Sequence, residues 1–105
     1  AMASSEEMKE IFSSSELDQK ARRLSVVQPR LTSTLLRQTP ATVVIIFVVD
    51  ENGRVQDPKV QRSTNPSFDR SALAAIRQWK FEPAKVQGRS VSSRLRQSFS
   101  FQNNG

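Results

Sequence analysis

The side chains that most often carry catalysis are absent or isolated in this chain. It contains no histidine and no cysteine, which excludes zinc-finger spacings, thiol chemistry and imidazole acid–base catalysis. Serines are plentiful, but none has a visible activating base, and no Ser-x-x-Lys run occurs. We therefore expect a domain that is not an enzyme and has no cofactor.

One acidic cluster, Asp50-Glu51-Asn52-Gly53, is similar to the start of a calcium-binding loop. The residues that should continue the ligand pattern are missing, and turn chemistry explains all four positions. The glycines Gly53, Gly88 and Gly105 are too far apart for a phosphate-cradling loop. The sequence thus predicts neither a metal site nor a phosphate loop.

The charge of the chain is the next feature that bears on its partners. Its 105 residues suffice for one domain, and 16 Lys and Arg against 10 Asp and Glu give a net charge of +6. This charge fits either an anionic partner or a solvated basic surface that aids solubility. The absence of tyrosine, with phenylalanines at predicted core positions, argues against a nucleic-acid module.

The clearest secondary-structure signal is "TVVIIFVV", residues 42–49, which is apolar at every position after Thr42. This pattern predicts a central strand covered on both faces. Asn52-Gly53 predicts a tight hairpin in which both residues are left-handed. In the return strand Pro58 removes a ladder donor, which predicts a sheet edge or a bulge.

The main helix is predicted within residues 63–81, with Asn65 or Ser67 as its N-cap and Pro66 at its first turn. Its apolar residues recur at steps of three and four and form one stripe, which comprises Phe68, Ala72, Ala75, Ile76 and Trp79. We place Trp79 in the last turn, where its ring closes the core and its indole N–H reaches the boundary.

The N-terminal part has weaker signals. Met8, Ile11 and Phe12 share a helical face and predict a marginal helix, whereas residues 16–32 are expected to be mostly extended. A short helical turn is expected over residues 35–37. We divide the chain into an extended or partly disordered extension (1–27), a folded domain (28–101) and a disordered tail (102–105).

The last segment, residues 90–101, alternates with a period of two and predicts a half-buried edge strand preceded by a turn at Gly88. The predicted solvent face of this strand carries Ser92, Arg94, Arg96, Ser98 and Ser100. Together these elements predict an α+β fold. It consists of a small three-stranded β-sheet, formed by a β-hairpin and a final edge strand joined by a crossover helix, with helices packed on one face. Arg94 and Arg96 on the wet face either hold phosphates or protect the edge from aggregation. The unpaired edge can also accept an added strand.

Four segments, in this order, resemble the TonB C-terminal domain family. They are "QPRL", "TVVIIFVVDENGRVQDPKVQRST", "FDRSALAAIRQWKFEPAKVQG" and "VSSRLRQSFSF". The resemblance runs from about Gln28 to Phe101. It implies the periplasmic domain of an inner-membrane-anchored bacterial energy transducer, with the anchor and a proline-rich spacer lying upstream and absent from this chain.

The resemblance also implies partners and sites. The partners are a TonB-dependent outer-membrane receptor, whose N-terminal segment adds as a strand to the edge of the last strand, and a proton-driven motor complex in the inner membrane. The implied partner-binding residues are Gln28, Pro29, Arg30, Leu31, Ser92, Arg94, Arg96, Ser98 and Ser100. The chain departs from the family's Gln-Pro-x-Tyr-Pro motif because Leu31 replaces the tyrosine and Thr32 the second proline.

Two other interpretations stay open. A divergent envelope domain could bind an anionic polymer, such as cell-wall material or nucleic acid, through its basic surface. Alternatively, the domain could self-associate as a homodimer through its edge strand.

Overall fold

The computed structural model describes residues 11–12 and 16–103. In these ranges the strands are β1 (Ile11–Phe12), β2 (Arg22–Ser25), β3 (Ala41–Val49), β4 (Val55–Ser63), β5 (Lys80–Glu82), β6 (Ala84–Val86) and β7 (Arg89–Phe101). The helices are α1 (Ser33–Leu36) and α2 (Asp69–Arg77), and a 3-10 turn at Pro66–Phe68 leads into α2.

The main sheet has the strand order β1-β7-β3-β4, and β6 also pairs with β7. Both β4 and β7 run antiparallel to β3, so these two outer strands are parallel to each other and α2 lies in the connection between them. A second small sheet pairs β2 with β5. The predicted α+β class and its hairpin–helix–strand arrangement are confirmed, with β1 and β6 extending the predicted three strands.

The central strand β3 is covered on one face only. The side chains of Val43, Ile45 and Val49 are completely buried, whereas the alternate positions are half-buried. The prediction that both faces are covered is therefore wrong. The physical reason for the one-sided burial of β3 is that α2 and the N-terminal segments lie on one face of the sheet, and no described element packs on the other.

The predicted stripe of α2 forms the other half of the core. All five of its residues are buried, which confirms the stripe. The helix ends at Arg77, so Trp79 follows the last turn and is not part of it. Its ring packs edge-on against Phe99 at 5.6 Å, and its indole N–H donates to the carbonyl oxygen of Val27 at 2.9 Å. The predicted boundary role of Trp79 is thus confirmed.

The β3–β4 hairpin turn is organised by Asp50. Its side chain accepts hydrogen bonds from the backbone N–H groups of Asn52 and Arg54, both at 2.9 Å. Only Gly53 is left-handed, with φ of +81°, so the prediction that Asn52 shares this conformation is wrong. The side chain of Asp50 satisfies the turn's donors without it. The predicted turn at Gly88 is confirmed.

Strand β4 is both an edge strand and a bulged one, which confirms both alternatives predicted from Pro58. The register shifts between Ile46 and Val48, where Phe47 faces the two residues Asp57 and Pro58. Asp57 has a φ of +54° at this bulge. A second register shift follows between Val44 and Ile45.

The N-terminal segments differ from their prediction in one place. Ile11 and Phe12 form a strand, so the helix predicted over them is wrong, and Met8 lies outside the described residues. The extended backbone expected beyond residue 16 is seen in β2. The domain boundary at residue 28 stays a prediction, although Ala21 and Val27 pack against the core.

We predict that Gly53→Ala destabilises the domain more than Gly88→Ala. Both glycines have positive φ, which costs an alanine about 1–2 kcal/mol. A Cβ at position 53 would in addition lie 1.9 Å from the backbone oxygen of Phe81, whereas that of Gly88 meets open space. Urea denaturation should show a loss of about 3 kcal/mol or more for Gly53→Ala. Equal losses in the two variants would contradict the close approach.

Replacement of Trp79 tests the closure of the core. Trp79→Ala should lower the free energy of unfolding by about 3–5 kcal/mol, because it opens a cavity beside Phe99. Trp79→Phe keeps an aromatic ring and loses the hydrogen bond to Val27, so its cost should be smaller. Thermal unfolding with Gln78→Ala as an exposed neighbouring control checks both. A Trp79→Ala protein as stable as the control would refute the core role.

Candidate protein-interaction edge

The outer edge of β7 is one of two long outer strand edges of the main sheet in the described part of the chain, and the other is the bulged edge of β4. On its inner side β7 pairs with β3 from Ser93 to Phe101. Elsewhere on β7 the described residues supply β1, which pairs in parallel at Ser92 and Ser93, and β6, which pairs with residues 89–91. The eight positions from Arg94 to Phe101 thus leave about 27 Å of backbone open.

The side chains of β7 that face α2 hold this edge in place. Phe99 packs against Trp79, and the Phe101 ring lies 4.8 Å from that of Phe68. Leu95 is half-buried against the same core. Because these rings are fixed, the backbone of β7 is preorganised for a further strand, and less ordering entropy is lost when one binds.

The other side chains of β7 point away from α2. Four of the predicted partner-binding residues lie here and are exposed: Arg94, Arg96, Ser98 and Ser100. Ser92 does not belong with them, because it is 4% exposed. The prediction of a solvent-facing Ser92 is wrong, since the period-two pattern breaks where Ser92 and Ser93 are both buried.

The predicted segment Gln28–Leu31 lies on the opposite side of the sheet, along α2. The carbonyl oxygen of Arg30 accepts a hydrogen bond from the hydroxyl of Ser71. Leu31 packs against the core, while Gln28 and Arg30 are exposed. A groove of about 430 Å³ runs between this segment and α2. The backbone of Gln28–Leu31 is therefore held against α2 by the hydrogen bond from Ser71. The residue before this segment, Val27, is held by the hydrogen bond from Trp79.

The two predicted groups do not form one continuous patch of side chains. Those of Arg94 to Ser100 lie on the face opposite α2, whereas Gln28–Leu31 lies in the helix layer. A partner that contacts both must pass around an edge of the sheet, and the outer edge of β7 is one such path. A strand added to that edge places alternate side chains on the two faces, which is one geometry that reaches both.

Sequence reasoning missed the contacts that residues 19–22 make with β5 and β6. Glu82 of β5 accepts hydrogen bonds from Arg22 at 2.9 Å and from Gln19 at 2.6 Å, and Gln19 also exchanges backbone bonds with Lys85. The hydrogen bond from Arg22, followed by that from Gln19, holds the pKa of Glu82 below its ordinary value. No local pattern could reveal these contacts, because the partners of Glu82 lie 60 and 63 residues away from it.

The described residues offer little for other chemistry. Within residues 11–12 and 16–103, no three His, Cys, Asp or Glu side chains are grouped to hold a metal ion. None of the helices in that part of the chain has the length and apolar character required to cross a membrane.

These features define a small α+β domain of the split β-α-β kind, in which the described residues leave the outer edge of β7 open from Arg94 to Phe101. The chain belongs to the family described as Gram-negative bacterial TonB protein C-terminal, whose sequence model matches residues 35–102. The family resemblance predicted from the sequence is confirmed.

Individual relatives agree with this assignment. The chain is 38% identical over 60 residues to the Protein TonB of two strains of Xanthomonas campestris pv. campestris, which covers 56% of this chain. It spans only 27% of the length of those relatives. The solution NMR structure of the Pseudomonas aeruginosa TonB CTD superposes with a TM-score of 0.70 at 24% identity, over 90% of this chain and 96% of that one, which supports the fold.

We predict that Glu82 contributes a pH-dependent part of stability. A carboxyl whose pKa is lowered by folding stabilises the folded state above its ordinary pKa, and this contribution is lost as the pH falls through the lowered value. The melting temperature of Glu82→Gln should therefore lie below that of the parent at neutral pH and converge with it in acid. Arg22→Gln removes the same ion pair and should show the same window. A constant difference across the pH range would contradict this assignment.

Proposed function

We propose that this chain is the periplasmic, protein-binding domain of a TonB-like energy transducer. It captures the N-terminal segment of an outer-membrane receptor by strand addition at β7 and thereby drives active transport. The observation that carries the proposal is the open edge from Arg94 to Phe101 on a strand whose other side is fully paired. The family membership supplies the setting.

Strand addition fits the chemistry of this edge. Main-chain hydrogen bonds provide affinity that depends little on the partner's side chains, so one domain can serve several receptors. The function is then mechanical coupling without covalent chemistry, powered by a proton-driven inner-membrane motor that reaches the domain through an upstream anchor. Iron-chelate uptake is the class of transport that this arrangement serves in the family.

The segment Gln28–Leu31 is proposed as a second contact with a changed character. Leu31 stands where the family's motif has a tyrosine, and in this fold it is half-buried against the core. It therefore offers neither an exposed ring nor a hydroxyl. Gln28 and Arg30 are exposed beside it and supply polar contacts instead.

The test is an NMR titration with peptides copied from the N-termini of outer-membrane receptors of the same bacterium. A binding peptide is then N-methylated at alternate residues in two separate versions. Only one of the two sets of N–H groups points at the sheet, so one version should lose binding and the other should keep it. Amide shifts should concentrate on residues 94–101.

Four results would count against strand addition. Binding that survives both methylated versions would show that side chains carry the contact. A steep loss of affinity with salt would favour an anionic-polymer site. Concentration-dependent sedimentation without peptide, with shifts on the same residues, would show that a second copy takes the edge. A normally folded protein that binds no peptide would remove receptor capture altogether.

A further inference from the structure

The face of the main sheet that points away from α2 carries an apolar stripe, and no element within residues 11–12 and 16–103 covers it. It is formed by Val44, Ile46 and Val48 of β3, all half-buried, and we call it the open face. A shallow depression of about 670 Å³ lies over Ile46 and Val48. Sheets with one solvated face usually alternate apolar and polar residues, so three consecutive apolar residues on the wet face need an explanation.

Positive charges border this stripe on both sides. On β7, Arg96 lies opposite Ile46 and Arg94 opposite Val48, and both are exposed. On β4, Lys59 pairs with Ile46 and Arg62 with Val44, and they are exposed as well. Residues that pair across antiparallel strands point to the same face, so an apolar centre lies between two basic rows.

The one carboxylate recorded at this depression does not neutralise the rows. Asp57 lies beside Lys59, with an Oδ2–Nζ distance of 3.7 Å and both side chains largely exposed. Such a pair is weak in water. The described residues give no carboxylate partner to Arg94, Arg96 or Arg62, which leaves three positive charges around the stripe.

The dimensions of the open face fit a helix. The stripe from Val44 to Val48 is about 14 Å long, and the basic rows lie one strand away on each side, at about 4.8 Å. A helix with its side chains is about 10 Å wide, so its apolar seam would lie on β3 with its flanking positions above the two rows. On the other face, α2 already packs against β3 in this way.

We propose that the open face is a docking site for an acidic amphipathic helix of a partner protein. Leucine-like side chains of its seam fill the depression over Ile46 and Val48, and Asp or Glu on each side of the seam pair with the arginines of β7 and with Lys59 and Arg62. Arginine stems add apolar contact beneath the ion pairs. A second copy of this domain does not fit, because it brings the same positive rows.

This docking is separate from strand addition. Strand addition uses the backbone at the outer edge of β7, whereas Lys59 and Arg62 are on β4, two strands away. A substitution on β4 therefore distinguishes the two surfaces, and either proposal can fail while the other holds.

The probe is a synthetic 21-residue helix with leucine at the a and d positions and glutamate at e and g, where mutual repulsion keeps it monomeric. Titrated into the ¹⁵N-labelled chain, it should shift the amides of Val44, Ile46 and Val48 with saturable binding. Lys59→Glu/Arg62→Glu should raise its Kd about tenfold at low salt and leave receptor-peptide binding unchanged. Arg70→Glu/Arg77→Glu on exposed positions of α2 is the matched control with the same change in charge and should bind more tightly than the β4 variant.

Further probes separate the apolar contact from charge alone. Ile46→Thr keeps a β-branched side chain, and its melting temperature reports whether it folds; it should weaken binding of the helix. The same helix with lysine at e and g should not bind. Poly-glutamate of equal length that binds as tightly, or phosphatidylglycerol vesicles that shift these amides while the helix does not, would overturn the proposal. Equal effects of the β4 and α2 variants would overturn it as well.

Discussion

The structure depends on one constraint, which is that β3 is apolar at every position except Thr42. The backbone N–H and C=O groups of so apolar a strand must be paired on both edges, and they are, with β4 and β7 along its length. One set of its side chains is completely excluded from water by α2 and the aromatic rings around Trp79. The position of β3 fixes β7 as the outer strand, with one edge engaged and one edge free. The interaction surfaces of the domain are thus a consequence of how its central strand is buried.

Much of the fold was predictable because its signals are local. The helix stripe and the turn at Gly53 are each specified within a few residues, and the structure shows both. Of the two predicted caps, Asn65 is used, and it caps the 3-10 turn that leads into α2. Ile11 and Phe12 were misassigned because their apolar spacing is compatible with a helical face, whereas their actual partners, Ser92 and Ser93, are 81 residues away on β7. Parallel pairing over that distance leaves no periodic trace in sequence. The contacts of Gln19 and Arg22 with Glu82 were invisible for the same reason.

In the candidate site, too, the local features were predictable and the long-range contacts were not. Alternation in the last strand correctly placed Arg94 and Arg96 in solvent, because period-two patterns report which face is wet. It misplaced Ser92, where β1 arrives, since a covering segment from elsewhere in the chain leaves no mark on the local pattern. Whether an apolar strand has one cover or two also could not be read from β3 itself. The number of covered faces depends on which other elements of the chain pack against each face of β3.

The bulges of β4 have a consequence for assembly. Flat sheets with two equivalent edges can pair edge to edge without limit, because each molecule pairs with one neighbour at each of its edges. In this domain the opposite edge is interrupted twice, at Asp57-Pro58 and again near Gln61, and Pro58 has no N–H to donate. The outer edge of β7 can therefore accept a strand, whereas the outer edge of β4 cannot continue the pairing. Edge pairing between copies can therefore form a symmetric dimer through β7, but it cannot extend into a fibre.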